Sequence, residues 1–320
     1  MRDWQAHDRS GKIKIASRHA PGLNLTLRSH GDGPPVLCVH GATFSGRIFD
    51  MPQPDVNWLA HLAAQGFAAY ALDIRGYGLS KPATFPEGRA YATGQEAIAD
   101  ITDAMDWIAE RHSGAPITLM GWSWGTLTTA RYVIAQSSHD IAALVLYAPL
   151  FNQRNQGWID MLADPEDPTR LRPLAPWRSV SLADTRTRWD AQLPDGADWR
   201  AESVLTALVE ASLHDDAPDA TCLPQTFRVP NGTFLDLWAC FNGHGLYDPR
   251  AITCPTLLVR GSQDPTSTRA DALGLLDRLG APERNYVEIE GGTHFINAEQ
   301  RAPVLFDAVT SFLMRHHAAH

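Results

Sequence analysis

The sequence has few of the features that mark a secreted, membrane-spanning or metal-binding protein. It contains four cysteines in 320 residues, and their scattered positions do not match the spacing of a metal site. No stretch approaches the roughly 20 apolar residues that cross a bilayer. The first eight residues lack the apolar core of a secretion signal. We therefore expect a soluble, cytoplasmic protein without a metal.

Positive charge is also scarce. The chain has 27 lysines and arginines against 36 aspartates and glutamates, so its net charge is −9, and it has no basic run. Such a chain is not attracted to nucleic acid or to an anionic membrane, which excludes both as expected partners. These features are compatible with any oligomeric state.

The cysteines are expected to be free thiols. Cys38 and Cys254 lie in or beside apolar runs, where a reduced and buried thiol is the usual state. Cys222 and Cys240 could form a disulfide, but the cytoplasm keeps thiols reduced, which favours two free side chains here as well.

What the sequence does contain is an alternation of buried strands and helices. Apolar runs typical of strands buried on both faces of a parallel sheet occur at 36–39, 67–72, 116–120 and 142–147, and two further strands are predicted at 256–259 and 286–289. Helical patterns lie near 55–65, at 94–112, up to about 136, at 269–279 and at 299–315. Residues 12–17 and 23–29 add a β-hairpin. The alternation predicts an α/β fold with a mostly parallel sheet.

This alternation stops after Pro149. Residues 150–247 contain five of the ten tryptophans, many prolines and amphipathic helical patches, the clearest at 198–213, but no run typical of a buried strand. We predict that residues 1–149 and 248–320 form the α/β core. Residues 150–247 are predicted to form a mainly helical insertion over the sheet, called the lid below.

A Gly-x-Ser-x-Gly motif, Gly121 to Gly125, lies where the strand at 116–120 gives way to a helix. The two glycines let the strand and the helix pass closely. Ser123 is then held at the tip of the turn, above the helix N-terminus. This arrangement is typical of a nucleophile elbow, and its serine needs a base within hydrogen-bond distance.

The base, and the acid that orients it, are expected in loops at the same edge of the sheet. The carboxyl ends of parallel strands converge on one crevice, and His294 and Asp264 each follow a predicted strand there. Asp248 and Asp271 are rivals for the acid, but the first precedes its strand and the second lies in a helix. We predict Ser123 as nucleophile, His294 as base and Asp264 as the acid.

A developing negative charge on the substrate oxygen needs preorganised donors. We predict that the backbone N–H groups of Trp124, after the nucleophile, and of Ala42, in the loop after the strand at 36–39, form this oxyanion hole. His40 is assigned a structural role, with its ring bridging loops.

Together these segments resemble the α/β-hydrolase fold superfamily. The resemblance is carried, in chain order, by His40-Gly41, Asp73-x-Arg75-Gly76-x-Gly78-x-Ser80, Gly121-Trp122-Ser123-Trp124-Gly125, Asp264 and His294. It implies an eight-stranded, mostly parallel sheet with helices on both faces, a lid, no cofactor, and a structural role for the 73–80 turn. The resemblance covers the core, and the lid matches no pattern of the superfamily.

Two departures from the superfamily narrow the expected chemistry. The loop from His40 to Thr43 lacks the Gly-Gly-Gly of lipases, so bulky or tertiary esters are less expected. Ser123 stands where epoxide hydrolases and haloalkane dehalogenases have an aspartate, which counts against both. We expect a serine hydrolase that cleaves an ester, lactone or thioester of a small to medium acyl substrate.

Three other functions stay open. One is a peptidase of the prolyl aminopeptidase kind, whose elbow is similar and which would need lid acids such as Glu202 or Glu210. The others are an acyltransferase and a ligand-sensing protein on a hydrolase scaffold. For any of these, aromatic residues in and beside the lid are candidates to line the substrate site: Phe44, Phe49, Trp122, Phe151, Trp158, Trp238 and Phe241.

Overall fold

The computed structural model describes residues 11–135, 139–216 and 223–317. Its strands are β1 (Gly11–Ala16), β2 (Asn24–His30), β3 (Pro35–Val39), β4 (Ala68–Asp73), β5 (Ile117–Trp122), β6 (Ile141–Tyr147), β7 (Trp177–Ser181), β8 (Thr226–Pro230), β9 (Thr256–Gly261) and β10 (Arg284–Ile289). Eight of them form one sheet in the order β1-β2-β4-β3-β5-β6-β9-β10, and β7 pairs with β8 separately.

The helices alternate with the strands of the large sheet. They are α1 (Trp58–Ala64), α2 (Gly94–Arg111), α3 (Trp124–Ala135), α4 (Gln156–Leu162), α5 (Leu182–Asp190), α6 (Glu202–Asp216), α7 (Thr233–Phe241), α8 (Arg269–Leu276) and α9 (Ala302–His317). None of the helices within the described ranges is both long and apolar enough to cross a bilayer.

The sheet is mostly parallel, as predicted. Strand β2 is antiparallel to β1 and to β4, which confirms the hairpin, and the other neighbouring pairs of the large sheet are parallel. Strands β3, β4, β5 and β9 are buried along their whole length, so both faces of the sheet are covered. Helices α2 and α3 pack together over β3 and β5, while α1 and α9 pack together over β4 and β6.

The lid is inserted between β6 and β9, which are neighbours in the sheet. It carries α4 to α7, and it also holds the antiparallel pair β7–β8, which the sequence did not predict. Strand β7 buries only one of its five residues, so its sequence does not contain the apolar run that predicts a buried strand. The described elements of the lid are therefore mainly helical, and the strand pair is an addition that the sequence pattern did not reveal.

A buried ion network joins the lid to the core. The Arg28 guanidinium bonds both oxygens of Asp73, at 3.2 and 3.0 Å, and an oxygen of Asp215, at the end of α6, at 2.7 Å. Arg47 bonds the same Asp215 carboxylate at 2.9 and 3.1 Å. Removing one member would leave an uncompensated buried charge, so this network fixes α6 against the turn that begins at Asp73.

Candidate active site

Ser123 lies in the tight turn between β5 and α3. Its φ is +56°, a conformation that non-glycine residues rarely adopt outside strained sites. A Cβ on Gly121 would lie 2.4 Å from the Gly125 carbonyl oxygen, and one on Gly125 would lie 2.4 Å from the Val39 carbonyl oxygen. Only glycine fits at these two positions, and this close approach holds the serine at the tip of the turn.

The structure brings Ser123, His294 and Asp264 into one hydrogen-bonded chain. His294 Nε2 lies 2.9 Å from Ser123 Oγ, and His294 Nδ1 lies 2.8 Å from Asp264 Oδ2. All three residues are buried. A neutral imidazole that donates from Nδ1 to the carboxylate presents an acceptor to the serine hydroxyl, which is the tautomer a general base requires.

The loop that carries Asp264 is fixed by its own hydrogen bonds. The second carboxylate oxygen accepts the backbone N–H groups of Thr266 and Ser267, at 2.8 and 2.9 Å. The Arg260 guanidinium donates to the carbonyl oxygens of Asp264 and Ser267, and it also bonds Glu288. These bonds leave one oxygen of Asp264 directed at the imidazole.

The loop of His294 is held from the core and from the lid. The His294 carbonyl oxygen accepts the indole N–H of Trp122 and the hydroxyl of Tyr147, both at 3.1 Å. Its backbone N–H donates to the side chain of Gln192, a lid residue, at 3.1 Å. The position of the imidazole therefore depends partly on the lid.

The two predicted oxyanion donors lie beside the serine. In the described part of the chain, neither the Ala42 N–H nor the Trp124 N–H has a hydrogen-bond acceptor. A Cβ on Gly41, next to Ala42, would lie 3.0 Å from the Ser123 Cβ, so the two loops touch. The Ala42 carbonyl oxygen accepts from Tyr77 at 3.1 Å, which fixes this loop. Their role as an oxyanion hole stays a prediction.

His40 bridges two loops, as its structural assignment requires. Its Nδ1–H donates to the Gly41 carbonyl oxygen at 2.8 Å, and its Nε2 accepts the Ile74 N–H at 3.2 Å. Burial lowers the pKa of His40 to about 4, so the ring is neutral at pH 7.

The rival acids lie elsewhere. Asp248 is exposed and pairs with Arg250. Asp271 lies in α8 and accepts the backbone N–H groups of residues 151–153 at 2.8–2.9 Å, at the start of the lid. Asp271 therefore fixes the chain where the core passes into the lid.

A cavity of about 510 Å³ lies between the core and the lid. Its wall includes Ala42, Pro265 and Phe295, each of which is next in sequence to a residue of the site or belongs to the oxyanion loop. Thr43, Phe44 and Thr266 also belong to the wall. Lid residues form the rest: Asn155, Gly157, Trp158, Met161, Arg178, Ser179, Val180, Asp184, Thr185, Arg188, Ala191, Gln192 and Phe234.

Two of the aromatic candidates, Phe44 and Trp158, line this cavity. Phe241 does not, because it stacks behind Trp158 at a ring-centroid distance of 5.2 Å. The remaining candidates pack into the interior instead: Trp122 against Tyr147, Phe151 against Tyr247, Phe49 against Trp58, and Trp238 against the hydrophobic core. These residues therefore do not line this cavity, since large aromatic side chains are also used to build the core, and their contact with substrate stays a prediction.

Sequence reasoning missed two arginines in the cavity wall, Arg178 and Arg188. Burial lowers the pKa of each guanidinium from its ordinary value to about 10, so both remain charged at pH 7. The only signal in the sequence is their position among lid tryptophans, at Trp177-Arg178 and Arg188-Trp189. Because these arginines belong to no motif, the sequence does not distinguish them from arginines on the protein surface.

The other reactive groups among the described residues form no second centre. Cys38, Cys240 and Cys254 are free thiols, and Cys222, which the sequence left as a possible partner of Cys240, lies outside the described residues. Within the described ranges, no group of three histidine, cysteine, aspartate or glutamate side chains is placed to hold a metal ion.

Comparison with known sequences matches residues 36–308 to the alpha/beta hydrolase family. Among characterised proteins, epoxide hydrolase 3 from Siraitia grosvenorii is 26% identical over 147 residues, or 45% of this chain. The match spans 41% of that relative's length.

Solved structures share the fold over almost the whole chain. The bromoperoxidase from Bacillus anthracis has a TM-score of 0.67 at 19% identity, covering 95% of this chain and 99% of that one. A thermophilic esterase from Thermogutta terrifontis has a TM-score of 0.63 at 18% identity, covering 96% and 99%. The family match covers most of the sequence and includes Ser123, Asp264 and His294. This protein therefore belongs to the α/β hydrolase family.

Proposed function

We propose that this protein is a serine hydrolase that cleaves an ester, lactone or thioester of a small to medium organic molecule through an acyl-enzyme on Ser123. The observation that carries the proposal is the unbroken hydrogen-bond chain from Asp264 through His294 to Ser123, in a chain order typical of this fold. A hydroxyl at this position becomes a nucleophile when the imidazole removes its proton.

Acylation begins when Ser123 Oγ attacks the substrate carbonyl while His294 Nε2 takes the hydroxyl proton. Asp264 holds the imidazole in place and stabilises its charged form. The oxyanion of the tetrahedral intermediate accepts the N–H groups of Ala42 and Trp124, which are free to donate. His294 then protonates the leaving group.

Deacylation uses the same residues. A water molecule takes the place of the leaving group and loses a proton to His294 as it attacks the acyl carbonyl. The second tetrahedral intermediate collapses, and the imidazole returns the proton to Ser123 Oγ. An alcohol or thiol in place of water would give acyl transfer, so product analysis with added acceptors separates the two reactions.

The site does not favour the peptidase alternative. Glu202 is exposed and pairs with Arg186 and Arg200, Glu210 is also exposed, and neither lines the cavity. A cavity with two arginines repels a substrate ammonium group. The epoxide alternative requires a carboxylate nucleophile at the elbow, and Ser123 occupies that place.

The proposal is tested by assaying the purified protein with 4-nitrophenyl acetate, butyrate and hexanoate, with proline β-naphthylamide and with styrene oxide. We expect turnover of at least one ester, and a loss of at least about 10³-fold in Ser123→Ala. Ser311→Ala, an exposed serine on α9, is the matched control. Ester hydrolysis that survives Ser123→Ala would overturn the assignment. Single-turnover hydrolysis with a large ligand-dependent rise in melting temperature would favour a sensor.

A further inference from the structure

The guanidinium groups of Arg178 and Arg188 lie in the wall of the cavity without a carboxylate partner. Arg178 donates to the carbonyl oxygens of Pro230 and Ala42 and to the side chain of Asn231, each at 3.0 Å. Arg188 donates to the hydroxyl of Thr43 at 2.8 Å. All of these acceptors are neutral, so within the described ranges neither guanidinium forms an ion pair, and the Asp264 carboxylate acts on Arg188 only through its charge.

The fully buried arginines among the described residues are neutralised by carboxylates. Arg28 bonds Asp73 and Asp215, and Arg75 bonds Asp100 through a bidentate contact. Burial lowers the pKa of both arginines, but their carboxylates outweigh it and raise the pKa above the ordinary value. The arginines of the cavity differ, because they form no ion pair with the described residues and burial lowers their pKa to about 10. At Arg188 burial outweighs the Asp264 carboxylate, which raises the pKa.

The wall of the cavity contains one carboxylate, that of Asp184. Asp184 lies in the first turn of α5, where its Oδ2 accepts the N–H and the hydroxyl of Ser181 at 2.8 and 2.7 Å. That carboxylate caps its own helix and forms no ion pair with Arg188. The net charge of the wall is therefore positive, although the chain as a whole carries −9.

The two arginines differ in the donors that they leave free. The terminal nitrogens of Arg178 already donate to the loops on either side, and its guanidinium carbon lies 4.3 Å from the ring centre of Phe234. Arg188 uses a single N–H, to Thr43, and its guanidinium lies against the rings of Trp158 and Phe295, at 5.3 and 5.5 Å. Its remaining N–H groups have no acceptor among the described residues. Arg188 therefore keeps N–H groups available for an acceptor, whereas Arg178 adds charge while holding the loop.

The position of Arg188 ties it to the reaction. Its partners Thr43 and Phe295 follow Ala42 and His294 directly in sequence, so the guanidinium lies beside the predicted oxyanion loop and the loop of the base. An anion bound there would lie beside these two loops.

We propose that the acyl substrate carries a second, anionic group, a carboxylate or a phosphate, which Arg188 binds through its free N–H groups. The proposal rests on the function proposed above and adds the substrate class. A guanidinium pairs with either oxyanion through charge-assisted hydrogen bonds, so the experiment must distinguish the two.

The test compares substrates that differ only in charge. With the anion on the alcohol side, the pair is 4-acetoxybenzoate and its methyl ester, with 4-acetoxyphenyl phosphate as the phosphate member. With the anion on the acyl side, the pair is mono-4-nitrophenyl adipate and its methyl ester. We expect kcat/KM for an anionic member to exceed that of its neutral partner by at least about 10-fold. The preferred member identifies the anion and the side on which it lies.

Variants then assign the preference to Arg188. Arg188→Gln should lower the ratio of anionic to neutral kcat/KM by about 10- to 100-fold, the effect of one charge-assisted hydrogen bond, and Arg188→Lys should restore part of it. Arg186→Gln, on the same helix but paired with Glu202 outside the cavity, should leave the ratio unchanged. Equal kcat/KM within each pair, or a ratio that Arg188→Gln does not change, would overturn the proposal.

A binding measurement separates this proposal from the proposed function. Adipate, acetate or inorganic phosphate should raise the melting temperature of Ser123→Ala, and the rise should be lost in the double variant with Arg188→Gln. If no ester is hydrolysed but the rise is seen, the hydrolase proposal fails and the anion site stands. If esters are hydrolysed without preference and no anion changes the melting temperature, the anion site fails and the hydrolase stands.

Discussion

The indole N–H of Trp189, at the end of α5 in the lid, donates to a carboxylate oxygen of Glu299 at 2.7 Å, and both side chains are buried. The same carboxylate accepts the backbone N–H of Thr293 at 3.0 Å and its hydroxyl. Thr293 immediately precedes His294. One buried carboxylate therefore joins the lid to the loop that positions the base.

Replacing this carboxylate should loosen both elements that it joins. In Glu299→Gln, the amide NH₂ group cannot accept the hydrogen bonds that a carboxylate oxygen accepts from Trp189 and Thr293. We therefore expect a loss of about 1–3 kcal/mol in the free energy of unfolding. We also expect a lower kcat, because the His294 loop is less fixed. Urea unfolding and ester kinetics measure the two effects. Glu290→Gln, exposed in the same loop, is the control, and an equal response of the two variants would contradict this role.

Asp264→Asn tests the orientation of the imidazole. One oxygen still accepts from Thr266 and Ser267, so the loop keeps its shape, but an N–H now faces Nδ1 of His294. That donor favours the wrong tautomer, and kcat should fall by about 10²- to 10⁴-fold with the melting temperature little changed. Asp248→Asn, an exposed acid, should behave like the wild type. Full activity in Asp264→Asn would exclude this aspartate as the acid.

Burial of His40 makes stability depend on pH. Its pKa is about 4 in the folded protein, below the ordinary value of 6.5, so the unfolded chain binds the proton more readily. This contribution is therefore fully present at pH 7 and is lost as the pH falls from 6.5 towards 4. The free energy of unfolding, measured in urea at pH 7 and pH 4.5, should fall by about 2 kcal/mol more in the wild type than in His40→Gln. Parallel decreases in the two proteins would contradict a neutral, buried His40.

The closeness of α3 to the end of β3 can be tested through Gly125. A Cβ there would meet the carbonyl oxygens of Val39 and His40 at 2.4 and 2.7 Å, and backbone atoms on both sides leave no room to move. We expect Gly125→Ala to lose about 1–3 kcal/mol or more in the free energy of unfolding, which is the usual cost of overpacking, or to be insoluble. Gly274→Ala, in α8 with only an arginine side chain at 3.5 Å, should be neutral or up to about 1 kcal/mol more stable. Similar stability in both variants would show that the turn can relax.

Much of the core could be predicted from the sequence, because the strands of a parallel sheet are buried on both faces. Such strands leave apolar runs, and the runs at 36–39 and 256–259 fall within β3 and β9. Once the strands were placed, Ser123, Asp264 and His294 followed from their loops at one edge of the sheet. The structure brings these three side chains together, and their catalytic roles remain proposals.

The lid could not be predicted in the same way. Strand β7 leaves no apolar run, and an aromatic residue such as Phe241 serves equally well to support a neighbour or to line a cavity. The exposure of Arg178 and Arg188 to the cavity depends on how α5 and β7 pack over the core. That packing joins residues far apart in the chain, so local spacing carries no signal of it.

The central claim is that Ser123 is the nucleophile, and covalent labelling tests it most directly. The purified protein is treated with a fluorophosphonate, and intact-protein and peptide mass spectrometry then locate the adduct. We predict one adduct per chain, on the peptide that contains Ser123, no adduct in Ser123→Ala, and slow labelling in His294→Ala. A protein that hydrolyses esters while Ser123 stays unmodified, or that carries the adduct on another residue, would contradict the account.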